Sequence, residues 1–190
     1  MKIVCLGDSI TYGYGIPRHL SWVSLVDAET RFTMINAGVN GDTTSGMLAR
    51  FQRDVLQEKP DALLLLGGVN DLNAGCGVGP IQSNVTAIIQ QAVSANITPI
   101  LGTILPVYRD ILPEAWRPVL SLGAPEEAYN AYRKWLLAFG ESFQVKCVDF
   151  YTPFSSQVDA APTDYMLDGL HPNKAGHRLM ADILRTALSV

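Results

Sequence analysis

The sequence predicts an α/β protein in which a parallel sheet is covered by helices on both faces, giving a three-layer α/β/α sandwich. Short apolar runs alternate along the chain with amphipathic stretches of helical length, and such alternation is typical of parallel sheets. One of these runs, residues 62–66, reads Ala-Leu-Leu-Leu-Leu. A strand without a polar face is expected where both sides of the sheet are buried.

Apolar patterning places the elements of this sandwich. Strands are predicted over residues 2–6, 33–37, 62–66, 99–105 and 145–150. Helices are predicted from apolar residues at helical spacing. Their inward faces are Met47, Leu48, Phe51, Val55 and Leu56; Ile81, Val85, Ile88, Ile89 and Ala92; Ala128, Tyr132, Trp135, Leu136 and Phe139; and Leu179, Met180, Ile183, Leu184 and Ala187. Pro125 is predicted to open the third helix, and Asn173 to cap the last.

Composition limits the partners of the protein. A chain of 190 residues suits a single domain over residues 1–190. Its net charge of −4, without a Lys/Arg cluster, argues against nucleic acid as a partner. No apolar run approaches the roughly 20 residues of a membrane span, and no signal-peptide pattern is present, so we expect a cytoplasmic protein if Met1 is the natural start. Three cysteines without a CxxC pair predict neither a disulfide framework nor a metal site, and no cofactor is expected.

Polar residues follow four of the predicted strands. Ligands of open parallel sheets bind at the carboxyl ends of the strands, so we expect residues 7–11, 37–42, 67–71 and 168–172 to share one edge. Together these segments supply a hydroxyl, glycine N–H groups, a carboxamide, a carboxylate and an imidazole. Acyl transfer through a serine requires these groups.

The same segments resemble the sequence blocks of one enzyme family. Residues 7–10, Gly-Asp-Ser-Ile, resemble the GDSL block that opens the SGNH hydrolases, with Ile10 in place of leucine. Gly41 resembles the glycine of the second block. Residues 68–71, Gly-Val-Asn-Asp, are similar to the third block, GxND, and residues 168–171 match the final DxxH. All the blocks occur in the family's order across almost the whole chain.

The resemblance implies a GDSL-type serine ester hydrolase and a role for each matching residue. Ser9 would be the nucleophile, His171 the base and Asp168 the group that orients it. The oxyanion hole would comprise the backbone N–H groups of Ser9 and Gly41 and the side-chain amide of Asn70. The family fold implies a five-stranded parallel sheet in the flavodoxin-like order 2-1-3-4-5.

Several positions have competing interpretations. Gly38 is the alternative glycine donor of the oxyanion hole. His19 and His177 are the alternative bases, and we expect His177 to have a surface or packing role. Asp8 and Asp71 are predicted to brace the turns beside the site rather than to take part in catalysis.

The predicted substrate is a small-molecule carboxylic ester or thioester. An acyltransferase that uses the same acyl-enzyme and a carbohydrate acetylesterase are the alternatives, and no sequence feature indicates an oligomeric state. An α/β-hydrolase is disfavoured because Thr11 occupies the second glycine position of the G-x-S-x-G elbow. Residues 71–79 and 106–123 are predicted to form the pocket walls, the latter through Val107, Tyr108, Ile111, Leu112 and Trp116.

Overall fold

Parallel strands form the centre of the molecule in the computed structural model, which describes residues 1–116, 123 and 125–188. The strands are β1 (Lys2–Gly7), β2 (Thr33–Gly38), β3 (Ala62–Leu66), β4 (Thr98–Gly102) and β5 (Lys146–Val148). They form a five-stranded sheet in the order β2-β1-β3-β4-β5, and every neighbouring pair is parallel. The predicted sheet and its strand order are confirmed.

Helices cover both faces of this sheet, as predicted. They are α1 (Ser9–Tyr12), α2 (Trp22–Glu29), α3 (Thr44–Asp54), α4 (Val69–Asn73), α5 (Val78–Ser94), α6 (Glu126–Phe143), α7 (Tyr151–Val158), α8 (Pro162–Tyr165) and α9 (Lys174–Leu188). Helix α2 packs against α9, and α3 packs against α5. Among the helices so described, none is long and apolar enough to cross a membrane.

The last two strands are shorter than predicted. Strand β4 ends at Gly102 and β5 ends at Val148, whereas the apolar runs continue beyond both positions. The hydroxyl of Thr103 donates to Asp149 Oδ1 at 3.0 Å and accepts the N–H of Tyr151 at 3.0 Å. These bonds turn the chain out of the sheet toward α7, so the apolar residues that follow are buried in loops.

Two of the longer helices, α2 and α7, escaped prediction, as did the short helices α1, α4 and α8. Helix α2 begins after Ser21, whose hydroxyl accepts the N–H of Ser24 at 3.3 Å and caps the helix. Its Trp22 side chain is fully buried. The predicted N-cap of α9, Asn173, is confirmed by its hydrogen bonds from the first turn, whereas Pro125 is the N-cap of α6 rather than its first helical residue.

The predicted inward faces are confirmed at their central positions. Phe51 of α3, Ile88 of α5, Tyr132 of α6 and Met180 of α9 are almost completely buried. The exceptions lie at the margins of these faces, where Leu48, Leu56, Ala128, Trp135, Leu179, Ile183 and Ala187 are only partly buried. Helical spacing identifies the buried side of a helix, but the neighbouring elements decide how wide the covered stripe is.

Candidate active site

Ser9 stands at the carboxyl end of β1, as the first residue of α1. The Asp8 carboxylate caps this helix by accepting the N–H of Ile10 at 2.9 Å, and burial raises the pKa of Asp8 to about 7. The turn is tight, since a Cβ at Gly7 would lie 2.5 Å from the carbonyl oxygen of Leu66. The hydroxyl of Ser9 is thereby held at the edge of the sheet.

A chain of hydrogen bonds joins Ser9 to His171 and Asp168. Ser9 Oγ lies 2.9 Å from His171 Nε2, and His171 Nδ1 lies 2.8 Å from Asp168 Oδ2. Asp168 Oδ1 also accepts the N–H groups of Leu170 and His171 at 3.0 and 2.7 Å. Burial raises the pKa of Asp168, but the hydrogen bonds from His171 outweigh it and hold that pKa below its usual value. An ionised carboxylate can thus orient an imidazole that takes the hydroxyl proton.

The segment after β4 holds the turn that carries Asp168 and His171. The N–H of Tyr108 donates to Gly169 O at 2.8 Å, and the N–H of Leu167 donates to His171 O at 2.8 Å. Gly169 has a φ of 79°, and a Cβ there would lie 2.3 Å from Tyr108 O. Only glycine satisfies both constraints. Tyr108, predicted to line the pocket, instead supports this turn.

Three potential donors line the cavity in front of Ser9. Gly41 has a φ of 74°, and no described residue accepts a hydrogen bond from its N–H. The side-chain amide of Asn70 donates one N–H to Asp42 O at 2.8 Å, which leaves its second N–H. The N–H of Ser9 opens α1 and has no acceptor within its own helix. Ser9, Gly41 and Asn70 all border the same cavity.

The alternative donor, Gly38, has a packing role. Its N–H donates to Asn36 Oδ1 at 3.0 Å, and it does not border the cavity. A Cβ at Gly38 would lie 2.1 Å from Tyr12 N. The glycine therefore allows α1 to approach β2 closely.

The cavity has a volume of about 390 Å³ and a largely apolar wall around His171. The ring centroids of Tyr14 and Trp116 lie 4.5 and 5.6 Å from that of His171. Its lining residues are Ser9, Tyr14, Asn40, Gly41, Asn70, Asn73, Trp116, Leu170 and His171. Of the predicted walls, Asn73 and Trp116 contribute, whereas Cys76 is exposed and does not border the cavity. Residues 117–122 of the second wall lie outside the described residues.

Two residues near the site were missed by sequence reasoning, Tyr14 and Arg50. Tyr14 lies two residues after the end of α1, in a glycine-rich turn that has no helical or strand pattern. Arg50 could have been identified from the sequence, because it lies three residues after Met47 and one before Phe51, beside the buried stripe of α3. A charged residue in that position requires specific partners.

The bracing roles predicted for Asp8 and Asp71 are confirmed by their contacts. Asp8 caps the helix that carries Ser9. Asp71 is buried and accepts both the N–H and the hydroxyl of Thr44, at 2.9 and 2.7 Å. Its carboxylate therefore ties the start of α3 to the start of α4.

The alternative histidines lie away from this chain of hydrogen bonds. His19 is exposed. His177 is fully buried in α9, where its Nδ1 accepts the N–H of Trp22 at 3.3 Å. Burial lowers the pKa of His177 to about 4. The packing role expected for His177 is confirmed.

We expect His177 to make the fold acid-sensitive. Between its ordinary pKa of 6.5 and about 4, the unfolded chain binds a proton that the folded chain does not. The contribution of His177 to the free energy of unfolding should therefore fall as the pH falls through this range and level off below it, by about 3 kcal/mol in total. The raised pKa of Asp8 acts in the opposite direction over an overlapping range, so the contribution of His177 is measured as the difference between wild type and a variant that cannot be protonated at this position. His177→Asn keeps an acceptor for Trp22 but cannot be protonated, so it should lack this component.

The measurement is urea unfolding of wild type, His177→Asn and the exposed control His19→Asn across this pH range. His19→Asn should follow wild type. If the unfolding free energies of wild type and His177→Asn change with pH in the same way, the proposed contribution of His177 is wrong.

Comparison with known proteins identifies the family. The model of the GDSL-like lipase/acylhydrolase family matches residues 5–179. The chain belongs to this family. The match includes all four sequence blocks and almost all of the sheet, so the similarity is not confined to the short motifs.

Several known esterases are similar to this chain over most of their length. The arylesterase of Vibrio mimicus is 30% identical, with 98% of this chain and 88% of that protein covered. Thioesterase 1/protease 1/lysophospholipase L1 of Escherichia coli strain K12 is 27% identical, covering 95% and 79%. The psychrotrophic esterase EstA from Pseudoalteromonas sp. superposes with a TM-score of 0.78 at 26% identity, covering 99% and 96%. The predicted SGNH hydrolase fold is confirmed, and the protein is a carboxylic ester hydrolase.

Proposed function

We propose that this GDSL hydrolase cleaves its ester through an acyl-enzyme on Ser9. The observation that carries the proposal is the unbroken chain of hydrogen bonds from Ser9 Oγ through His171 to Asp168. His171 Nε2 takes the hydroxyl proton as Ser9 Oγ attacks the carbonyl carbon. Asp168 holds the ring so that the protonated nitrogen, Nδ1, faces its carboxylate.

The negative charge that develops on the carbonyl oxygen is accepted by the N–H groups of Ser9 and Gly41 and by the amide of Asn70. His171 then gives its proton to the departing alcohol or thiol, and the bond from the carbonyl carbon to that group breaks. Water, deprotonated by the same imidazole, hydrolyses the acyl-enzyme and releases the acid. The three residues border the same cavity, and donors that are held in position before the reaction need little reorganisation when the charge forms.

The lining of the cavity favours an ester with an aromatic or compact apolar alcohol. The alcohol must lie near His171 Nε2 to receive its proton, and the rings of Tyr14 and Trp116 surround that imidazole. Their faces and edges suit an aromatic group. The similarity to the arylesterase of Vibrio mimicus agrees with this proposal.

Trp116→Leu should weaken selectivity for aryl esters. An aromatic contact contributes about 0.5–1.5 kcal/mol, so kcat/KM for phenyl acetate should fall roughly 2- to 10-fold relative to that for ethyl acetate. Trp135→Leu is the matched control, because Trp135 stacks on Tyr132 of α6 and does not border the cavity. An unchanged ratio of the two kcat/KM values in Trp116→Leu would place the aromatic alcohol elsewhere.

A screen of esters and thioesters that varies the acyl chain and the alcohol separately tests the proposed substrate class. If an added alcohol intercepts the acyl group faster than water does, the protein is an acyltransferase, the alternative with the same intermediate. We propose that no metal takes part, so prolonged EDTA treatment should leave the rates unchanged.

We further propose that residues 1–190 form a single domain of this type and that the substrate is a small molecule. The cytoplasmic location expected from the sequence stays a prediction, which cell fractionation would test.

A further inference from the structure

Arg50 is a buried charge that belongs to none of the catalytic roles above. Its side chain, on α3, is only 9% exposed. Its Nε donates to Asp42 Oδ2 at 2.7 Å, and its Nη1 donates to Asp54 Oδ2 at 2.8 Å. A buried guanidinium is tolerated only where carboxylates and further acceptors satisfy its donors.

The other bonds of Arg50 reach the ends of two strands. Nη2 donates to Gly7 O at 2.9 Å, and Nη1 donates to Ala37 O at 2.8 Å. Gly7 ends β1 two residues before Ser9, and Ala37 lies near the end of β2, before the loop that contains Gly41. The buried side chain of Arg50 therefore connects both segments.

The third proposed donor is connected to Arg50 through Asp42. The carboxylate of Asp42 binds Arg50, while its backbone oxygen accepts the side-chain N–H of Asn70 at 2.8 Å. The fit is close, because a Cβ at Gly46 would lie 1.9 Å from Asp42 Oδ1. Gly46 and Arg50 are one helical turn apart on α3 and face the same side. Gly46 leaves room for the Asp42 carboxylate, and Arg50 binds it.

We infer that Arg50 is a positioning residue of the oxyanion hole: it fixes the relative placement of the segments that carry Ser9, Gly41 and Asn70. The inference rests on the proposed function of those residues. Arginine suits the task because its planar fork can bind several acceptors at once in fixed geometry, which a lysine ammonium cannot.

The neighbouring Arg53 provides a matched control. It lies on the same helix and binds the same carboxylate, Asp54, at 2.5 Å, but its side chain is 69% exposed. No described contact joins it to β1 or to the loop that contains Gly41. Removing Arg53 thus disturbs the helix surface and Asp54 without touching the site.

The test compares Arg50→Met, Arg50→Lys and Arg53→Met in steady-state kinetics on phenyl acetate. A small misplacement of catalytic groups can cost up to about 100-fold, so we expect a roughly 10- to 100-fold loss of kcat in Arg50→Met with KM changed less than about 3-fold. Arg50→Lys should fall between Arg50→Met and wild type. Affinity for an aryl trifluoromethyl ketone, which binds serine as a tetrahedral oxyanion, should fall in parallel with kcat. Arg53→Met should match wild type.

Combination with Asn70→Ala distinguishes positioning from general support of the fold. If Arg50 acts through the oxyanion hole, the loss of kcat in Arg50→Met/Asn70→Ala should be smaller than the product of the two single losses, because Asn70 is one of the groups that Arg50 places and residues that act as a unit are not additive. Losses that multiply, or a loss of kcat without weaker ketone binding, would overturn the inference, as would an Arg50→Met variant as active as Arg53→Met.

Should Arg50→Met fail to fold, as judged by circular dichroism, Arg50→Lys carries the same comparisons, singly and with Asn70→Ala. A parallel Ser9→Ala variant separates the two proposals. If Ser9→Ala retains activity, the proposed nucleophile is wrong and the inference about Arg50 falls with it. If Ser9→Ala is inactive while Arg50→Met and Arg50→Lys are unaffected, only the inference about Arg50 fails.

Discussion

Ser9→Ala should reduce kcat by roughly 10³-fold or more, the largest effect that we expect from a single substitution in this protein. The variant lacks the only atom that can form the proposed acyl-enzyme at this position. His171→Ala should have a loss of similar size, because the hydroxyl then has no base within hydrogen-bond distance. The double variant should lose little more than either single variant, since the two residues act as one unit.

Covalent labelling gives an independent measurement of the same role. After treatment with an organophosphonate ester, mass spectrometry should place the adduct on Ser9, and Ser9→Ala should remain unlabelled. Ser83→Ala is the control, because its hydroxyl donates to Gly79 O, within α5, and Ser83 does not border the cavity. Full activity in Ser9→Ala, with an adduct on another serine, would refute the assignment.

Asn70→Ala should lower kcat by roughly 10²- to 10³-fold, or about 3–4 kcal/mol, the usual effect of losing one side-chain oxyanion donor. The second N–H of Asn70 is proposed to bind the oxygen most strongly when it is an anion, so kcat should change far more than KM. Asn70→Asp should be at least as harmful, because it places a negative charge beside the developing oxyanion.

The control for Asn70 is Asn84→Ala. The Asn84 amide also makes a tertiary hydrogen bond, to Thr44 Oγ1 at 3.0 Å, but it does not border the cavity. Steady-state kinetics on both variants, after circular dichroism shows that they are folded, decides the matter. If Asn70→Ala keeps more than about a third of the wild-type kcat, rather than the loss expected of an oxyanion donor, Asn70 only braces the turn through Asp42.

The order of residues along the chain was enough to predict the sheet and the edge that carries the site. A short run of apolar residues without alternation identifies a strand that is covered on both faces, because such a strand has no polar side. Strand β3 is an example. The ends of such strands then place Ser9 and Asn70 at one edge, and the strand order implied by the resemblance makes β1 and β3 neighbours. The resemblance to the GDSL blocks supplied the roles, including those of Asp168 and His171.

The sequence was a poorer guide where contacts between distant segments decide the conformation. The apolar runs after Gly102 and Val148 look like strand, but the hydrogen bonds of Thr103 turn the chain away. Trp116 and Tyr108 belong to the same predicted wall, but only Trp116 borders the cavity. The N–H of Tyr108 instead donates to Gly169 O, in a distant segment of the chain. No local pattern encodes such a partner.

What the sequence by itself determined is therefore the fold class, the positions of β1, β2 and β3, and the chemical groups brought to one edge of the sheet. Only the tertiary structure decided that Gly41 rather than Gly38 borders the cavity, which aromatic rings contact His171, and that Arg50 joins the ends of β1 and β2 to Asp42. The physical reason is that periodicity and turn chemistry are local, whereas hydrogen bonds and packing between residues far apart in the chain depend on how the elements assemble.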